Sequence, residues 1–537
     1  MIQSILSVLW FQWSLLFGVG LLASYRWLTA TYDFFKEKGV PYDNPVIFFG
    51  NMKSRIFRQE SMFDLFKRFY MKYKDYNYYG FFDVRNPNMM ICNRDLIKQI
   101  AVKDFDYFVN HRTILDAQAE PLFGNSLFFL QDQKWRDMRA TLSPAFTGSK
   151  MRLMFQMVNE CGHKASKYLR TQADSKGPIE MDLMDFFTRF TNDVIAICAF
   201  GVEINSLTEK DNHFYNMSRK ATNFTGLTAL KFFLFSNFPR LMRLLRIRLF
   251  DESYANTFSS LVLDTMEERI TKGTLRPDMI NLLLEARKGT VQVADLGTMD
   301  SNEGFATVEE AKVGQKAVSR HWTDDDLVSQ CFLFFIAGFL PSSILMCFCA
   351  HEVMENPDVQ KKLIEEIDHV REELGDNPLT YDVLQKMKYM DMVMSETLRK
   401  WPPTMAIDRV CSKPYVLRNK DGDGVKLNRG DIVSIPIVGL HHNPDYFPEP
   451  DKFIPERFSD ENRNNIKPLT YLPFGIGPRG CIGSRFALME SKAILFHLLS
   501  QFTFEASPKT RVPLEAAKSE FHLLPEGGSW MNLKPRS

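Results

Sequence analysis

The sequence predicts an α+β fold in which helices dominate and small β-sheets sit toward both ends of the chain. Three observations carry that reading. Helical patterning fills most of the chain up to about Arg287, and a long apolar run from Val328 to about Ala350 reads as one buried helix. Strand-like runs are confined to "YYGFFDVRNPNMMIC" early on and to the flanks of "NKDGDG", residues 419–424. No Gly/Ser linker, repeat or low-complexity tract divides the 537 residues, so one large catalytic unit is expected.

From Ile5 to Ala23 the chain is almost continuously apolar and long enough to cross a bilayer with a slight tilt. No Lys or Arg precedes this run, whereas Arg26, Lys36 and Lys38 follow it, which leaves the N-terminus outside the cytosol and the rest inside. Residues 1–25 are therefore expected to be a signal anchor in the endoplasmic reticulum membrane, with Trp10, Trp13 and Trp27 as interfacial residues. Residues 26–50, stiffened by Pro41 and Pro45, form a linker, and residues 51–537 a single catalytic domain. A helix is expected over Ser61–Asp75, then two strands joined by a turn at Asn86-Pro87-Asn88. The segment "FPRLMRLLRIRLF", residues 238–250, fits a membrane-surface helix and an ordinary amphipathic helix equally well.

Residues 288–320 read as an exposed loop, and Thr323 with Asp326 forms a capping box for the long apolar helix. That helix carries Ala337-Gly338 and then Pro341 in its middle. Glycine and proline disfavour a helix interior by about 1 and 3 kcal/mol, so a kink over a ligand or cavity is expected there. Further helices are expected over Tyr381–Lys400 and from Gly483 to about Ser500, with a structureless proline-rich stretch from Asn443 to Phe458 between them. The formal charge of +1 gives no nucleic-acid footprint. The eight cysteines are scattered and make no disulfide framework. Of the cluster Cys347, Cys349 and His351, only Cys347 and His351 share a helix face, and metal binding there is set aside.

The segment that carries chemistry is "PFGIGPRGCIGSRFALMESK", residues 473–492. A single cysteine, Cys481, follows Phe474, Gly475, Gly477 and Arg479 and opens a helix. The glycines permit positive φ and close approach of a flat partner. The helix N-terminus would stabilise a thiolate, and Arg479 would neutralise a carboxylate on the same ligand. A cysteine so placed suits an axial iron ligand.

This segment resembles the haem-binding loop of the cytochrome P450 superfamily, Phe-x-x-Gly-x-Arg-x-Cys-x-Gly, at every defined position. The resemblance implies a mainly helical fold with haem b between the long kinked helix and the cysteine loop, Cys481 being the iron ligand and Arg479 and Phe474 lying against the haem. Glu396, Arg399 and Arg457 resemble the family's buried charge triad, a structural device. Trp135 and Arg139 resemble the family's propionate-contacting pair, Arg409 a further propionate site, and His111 or Arg112 a third. The anchor and "ALMESK" look like the insect and vertebrate microsomal branch that oxidises xenobiotics and hormones. That branch implies a monooxygenase fed from NADPH by cytochrome P450 reductase, with cytochrome b5 a second candidate donor and Lys134, Arg136 and Arg485 candidates for the docking face. Lipophilic substrate contacts are expected from Phe108–Phe129, Phe214–Phe238, Phe335–Phe339, Thr404–Ile407 and Phe521–Leu524.

One departure complicates this. The family's long helix reads Ala-Gly-x-Asp/Glu-Thr, and here Ala337 and Gly338 are kept while Leu340 and Pro341 replace the acid and the threonine. Either Ser342 and water handle protons instead, or the site rearranges peroxides without a reductase, as related proteins lacking this threonine do.

Overall fold

The computed structural model describes residues 2–115, 117–274, 276, 278–287, 304–308, 320–418, 424–518 and 522–536. Its centre is the helix Asp324–Glu355, which runs through Pro341 without ending. It is long and apolar enough to cross a membrane, but most of that length is buried against other helices, so its apolarity serves the core. Helices Leu183–Ile195, Lys388–Lys400 and Ser484–Leu499 pack around it. Gly338 makes the closest of these approaches possible, since a Cβ there would collide with the Ile195 side chain. The Thr191 hydroxyl donates to the Phe339 carbonyl at 3.0 Å, fixing the two helices beside the proline. At the N-terminus both bonds of the expected capping box are present, Asp326 N–H to Thr323 Oγ1 at 3.2 Å and Thr323 N–H to Asp326 Oδ2 at 3.3 Å.

The sheets are small and flank this bundle. Tyr78–Asp83 and Asn86–Ile91 pair antiparallel; the latter runs parallel to Ile432–Ile435, which pairs antiparallel with Ile407–Val410. The turn falls at Val84-Arg85, with Val84 at φ 59°, and not at Asn86-Pro87-Asn88 as the sequence suggested. Pro87 is accommodated because the parallel pairing begins only at Asn88, so its missing N–H is not called on. A second sheet, Ile179–Asp182, Trp530–Pro535 and Phe502–Glu505, lies outside both places where the sequence suggested strands. Tyr415–Arg418 and Gly424–Leu427 pair as the hairpin reading requires, while residues 419–423 of its turn lie outside the described residues.

The helix expected over Tyr381–Lys400 is two, Tyr381–Lys386 and Lys388–Lys400, separated by extended Met387. The break is stabilised from outside: the Tyr389 and Met390 N–H groups donate to the Glu366 carboxylate of a neighbouring helix at 2.7 and 2.8 Å, capping the second helix. At the other end of the chain the helix Ile2–Thr29 exposes Trp10, Phe11, Trp13 and Phe17. Trp27 stacks on Phe238 at 5.3 Å, and only Pro239–Leu244 of the basic-apolar segment is helical.

Candidate active site

A cavity of about 1080 Å³ lies between the long helix and the loop at Cys481. Phe334, Ala337, Gly338, Pro341, Ser342 and Leu345 face it, spaced three and four apart as one helix stripe. Across the cavity the 473–483 loop presents Phe474, Gly475, Arg479, Gly480 and Cys481. Gly475 and Gly477 adopt φ of 79° and 69°. A Cβ on Gly477 would also collide with the Ala101 carbonyl, so this position requires glycine twice over. The Cys481 N–H donates to the Phe474 carbonyl at 2.8 Å, and the helix Ser484–Leu499 starts three residues later. Of the eight thiols, Cys481 alone is exposed; Cys161 is half-buried and the others are buried.

Basic side chains gather around this loop. Trp135 and Arg139, four apart on the helix Asp132–Leu142, both line the cavity. The strand Ile407–Val410 points alternate residues inward, so Ile407 and Arg409 line it together. Arg139 Nη1 donates to the Gly480 carbonyl at 2.8 Å. Arg479 lies over the Trp135 ring at 4.1 Å and donates to the carbonyls of Val109, Leu127, Phe128 and Leu130. Most of its donors are thus committed to backbone, and it is placed to meet an anion chiefly as charge. Burial, then the like charges of Arg409, Arg139 and Arg136, depress its pKa. Arg409 is fully buried and burial brings its pKa down to about 10. Its Nε and Nη2 have no hydrogen-bond partner among the described residues.

His111 lines the cavity, stacked on Phe128 at 4.8 Å with Nδ1 3.1 Å from Asp408 Oδ1; burial lowers its pKa to about 4 against the pull of Asp408. Burial would raise the Asp408 pKa, but bonds from His111 and the Arg112 N–H, with the Arg409 charge, hold it at about 2. Arg112 turns elsewhere, to Asp83 at 2.6 Å, which separates the two candidates the sequence left open.

A family description, cytochrome P450, matches residues 40–531. The chain belongs to the cytochrome P450 family. Similar proteins include probable cytochrome P450 9f2 of Drosophila melanogaster, 44% identical over 99% of this chain and 100% of that protein. Cytochrome P450 9e2 of Blattella germanica is 42% identical, covering 99% of each chain, and cytochrome P450 6j1 of the same species is 34% identical over 95% of each. Members are oxidoreductases of the monooxygenase type that bind haem through a cysteine thiolate.

The residues present fit that P450 cofactor. Arg409 and Arg139 crowd Arg479 with like charge, opposed by the Asp408 carboxylate, and two buried Arg409 nitrogens have no partner among the described residues, an arrangement that calls for an anionic ligand. Those that could hold haem are Cys481 for the iron, Arg409, Arg139, Trp135 and His111 for its carboxylates, and Phe474 for its face.

Several expected substrate contacts lie elsewhere. Phe335 packs with Phe200, Phe214 and Phe258, and Phe339 with Tyr215, on the far side of the long helix. Phe108 packs on Tyr415, Leu523 sits in a separate apolar cluster with Leu340, and Phe521 lies outside the described residues. Leu127, Phe128, Thr404 and Ile407 do line the cavity. Of the docking candidates, Lys134 is paired with Asp326 at 2.6 Å and Arg136 with Asp106 at 2.7 Å, while Arg485 donates to the Phe146 carbonyl. Met154, Ile195 and Cys198 also line the cavity and were not anticipated; they come from buried helix faces whose sequence pattern gives no sign of a cavity.

Proposed function

We propose that this P450 is a membrane-anchored monooxygenase of the endoplasmic reticulum. It would oxidise small lipophilic compounds, including xenobiotics, with electrons from NADPH delivered by cytochrome P450 reductase. The observation that carries this reading is the meeting, in one largely apolar cavity, of the exposed Cys481 thiol, a basic cradle with unpaired donors and the Ala337–Ser342 face of the long helix. When bound, the haem supplies the redox chemistry on dioxygen. Cys481 ligates its iron, Arg139, Arg409 and His111 hold its carboxylates, and Leu127, Phe128, Phe334, Leu345 and Ile407 exclude water and favour an apolar substrate.

Proton handling falls to Ser342. It lines the cavity, and its hydroxyl faces Glu490, a carboxyl fully buried with no hydrogen-bond partner on either oxygen among the described residues. Burial pushes the Glu490 pKa well up, with Ser342 opposing, which favours the protonated carboxyl behind the cavity. The pair stands in for the acid and hydroxyl that Leu340 and Pro341 replace.

Membrane attachment has two parts. The helix Ile2–Thr29 exposes Trp10, Phe11, Trp13 and Phe17, and the Trp27–Phe238 stack brings its end beside exposed Leu241, Leu244 and Leu245. Removing residues 1–25 then leaves partial, salt-sensitive binding.

The test is reconstitution with NADPH and reductase. Lipophilic compounds should yield oxygenated product, and Cys481→His should abolish the red-shifted Soret band of the reduced carbonyl complex. Consumption of hydroperoxides without reductase, together with no NADPH-dependent product, would replace this reading by the peroxide-rearranging one.

A further inference from the structure

The segment Gly304–Val308 lies against the cysteine loop and is tied to it at several points. The Phe305 N–H donates to Asp391 Oδ2 at 2.9 Å, and the Val308 N–H to Ser484 Oγ at 3.3 Å. The Phe305 ring packs on Phe458 at 5.2 Å and Tyr471 at 5.6 Å, and Ala306 is buried. Gly304 meets the Asp391–Lys492 ion pair so closely that a Cβ would collide with Asp391 Oδ1. Val308 Cγ1 would stand only 3.0 Å from a Cβ on Gly480.

These contacts bracket the thiol. Gly480 and Ser484 flank Cys481 in sequence, Tyr471 leads into the loop, and Lys492 belongs to the helix that follows it. Asp391 belongs to the helix of the Glu396–Arg399 pair, so one short segment ties together three elements that position Cys481. None of its side chains lines the cavity.

We infer that Gly304–Val308 is a positioning strap for the cysteine loop: it fixes Gly480 and Ser484, on either side of Cys481, with Phe305 as its anchor. This rests on the reading of Cys481 as the iron ligand. Solvent exposure and hydrogen bonding around a ligating sulfur set the reduction potential of the metal it binds, so the strap acts on electron acceptance without touching substrate.

The test uses the full-length, haem-loaded protein with Phe305→Ala, Gly304→Val and the conservative Phe305→Leu. Two readouts are followed: the haem midpoint potential, and the rate at which the red-shifted carbonyl band converts to the unshifted form in mild denaturant. Phe305→Ala and Gly304→Val should raise the potential and speed the conversion by about tenfold, as expected for losing a packed aromatic anchor. Phe305→Leu should restore most of both. Val308→Ala, which removes only the contact over Gly480, should shift the potential in the same direction even if the larger changes prevent folding. A wild type showing the band, with Val308→Ala and every folded variant matching it in both readouts, overturns the strap alone. A wild type lacking the band overturns the Cys481 reading and the strap with it.

Discussion

Two clusters of buried guanidinium groups flank the cysteine loop, and they are built to opposite rules. In the first, Arg399 grips Glu396 through two bonds of 2.7 and 2.9 Å, and Arg457 and the Ile454 N–H reach the same carboxylate at 3.4 and 2.9 Å. Arg399 spends its remaining reach on the carbonyls of His441 and Lys452. In the second, Arg139 and Arg409 crowd Arg479, and the opposing carboxylate, Asp408, is already engaged by His111 and Arg112. Arg409 keeps two nitrogens unpaired among the described residues. A closed network of this kind is a structural device; an open one with excess positive charge is a receptor for an anion.

Breaking the closed cluster should have the largest effect. Glu396→Ala leaves the Arg399 charge buried and uncompensated, at a cost of about 3–5 kcal/mol. Denaturant unfolding should show a loss of that size, or folded protein should fail to accumulate. A loss below about 1 kcal/mol would mean that the network is not what holds this region.

The open cluster should respond to pH. Its His111 is held near pH 4 by burial, against 6.5 for the unperturbed side chain. Because the folded pKa is the lower one, the stability contribution is complete above pH 6.5 and is lost as the pH falls toward 4, by up to roughly 3 kcal/mol. His111→Gln should flatten that part of the haem-free protein's stability profile, measured by thermal unfolding across the window. An unchanged slope would show that His111 is not the group responsible.

Arg409→Met sharpens the comparison because its two effects have opposite signs. Removing an unpaired buried charge should leave the haem-free form within about 1 kcal/mol of wild type, or make it more stable. Haem release to a scavenging protein should nevertheless accelerate by about tenfold or more, through loss of a charge-assisted contact. Destabilisation comparable to Glu396→Ala would erase the distinction between the clusters. The smallest change belongs to Arg457→Met, a half-buried outer arm at 3.4 Å, for which unfolding should show a loss of about 1 kcal/mol.

Much of this site was legible before folding because its signals are local. The cysteine loop is one continuous stretch of ten residues, and the Glu396–Arg399 and Trp135–Arg139 spacings and the Thr323–Asp326 capping box each join residues about one helical turn apart, whose relation backbone periodicity fixes. The reading failed where the question was which way a side chain faces. Phe334 lines the cavity while Phe335 and Phe339 pack away from it, and an all-round apolar helix carries no pattern to tell them apart. Leu340 was read as the counterpart of a proton-handling acid, yet it lies in another apolar cluster. An aspartate there would be a buried charge in that cluster, and Pro341→Thr alone is the cleaner probe of proton delivery.

The sequence by itself determined the family, the helix-dominated α+β class, the cysteine motif and the pairs within about one helical turn, since these follow from composition, spacing and backbone geometry. Only the tertiary structure decided that His111 and not Arg112 faces the cavity, that Glu366 breaks a helix at Met387 by capping its second half, and that Gly338 is there for Ile195. It alone decided that Gly304–Val308 lies beneath the cysteine loop. Each of these depends on two segments far apart in the chain competing for the same space or the same hydrogen bond, and that competition is settled only when the segments meet.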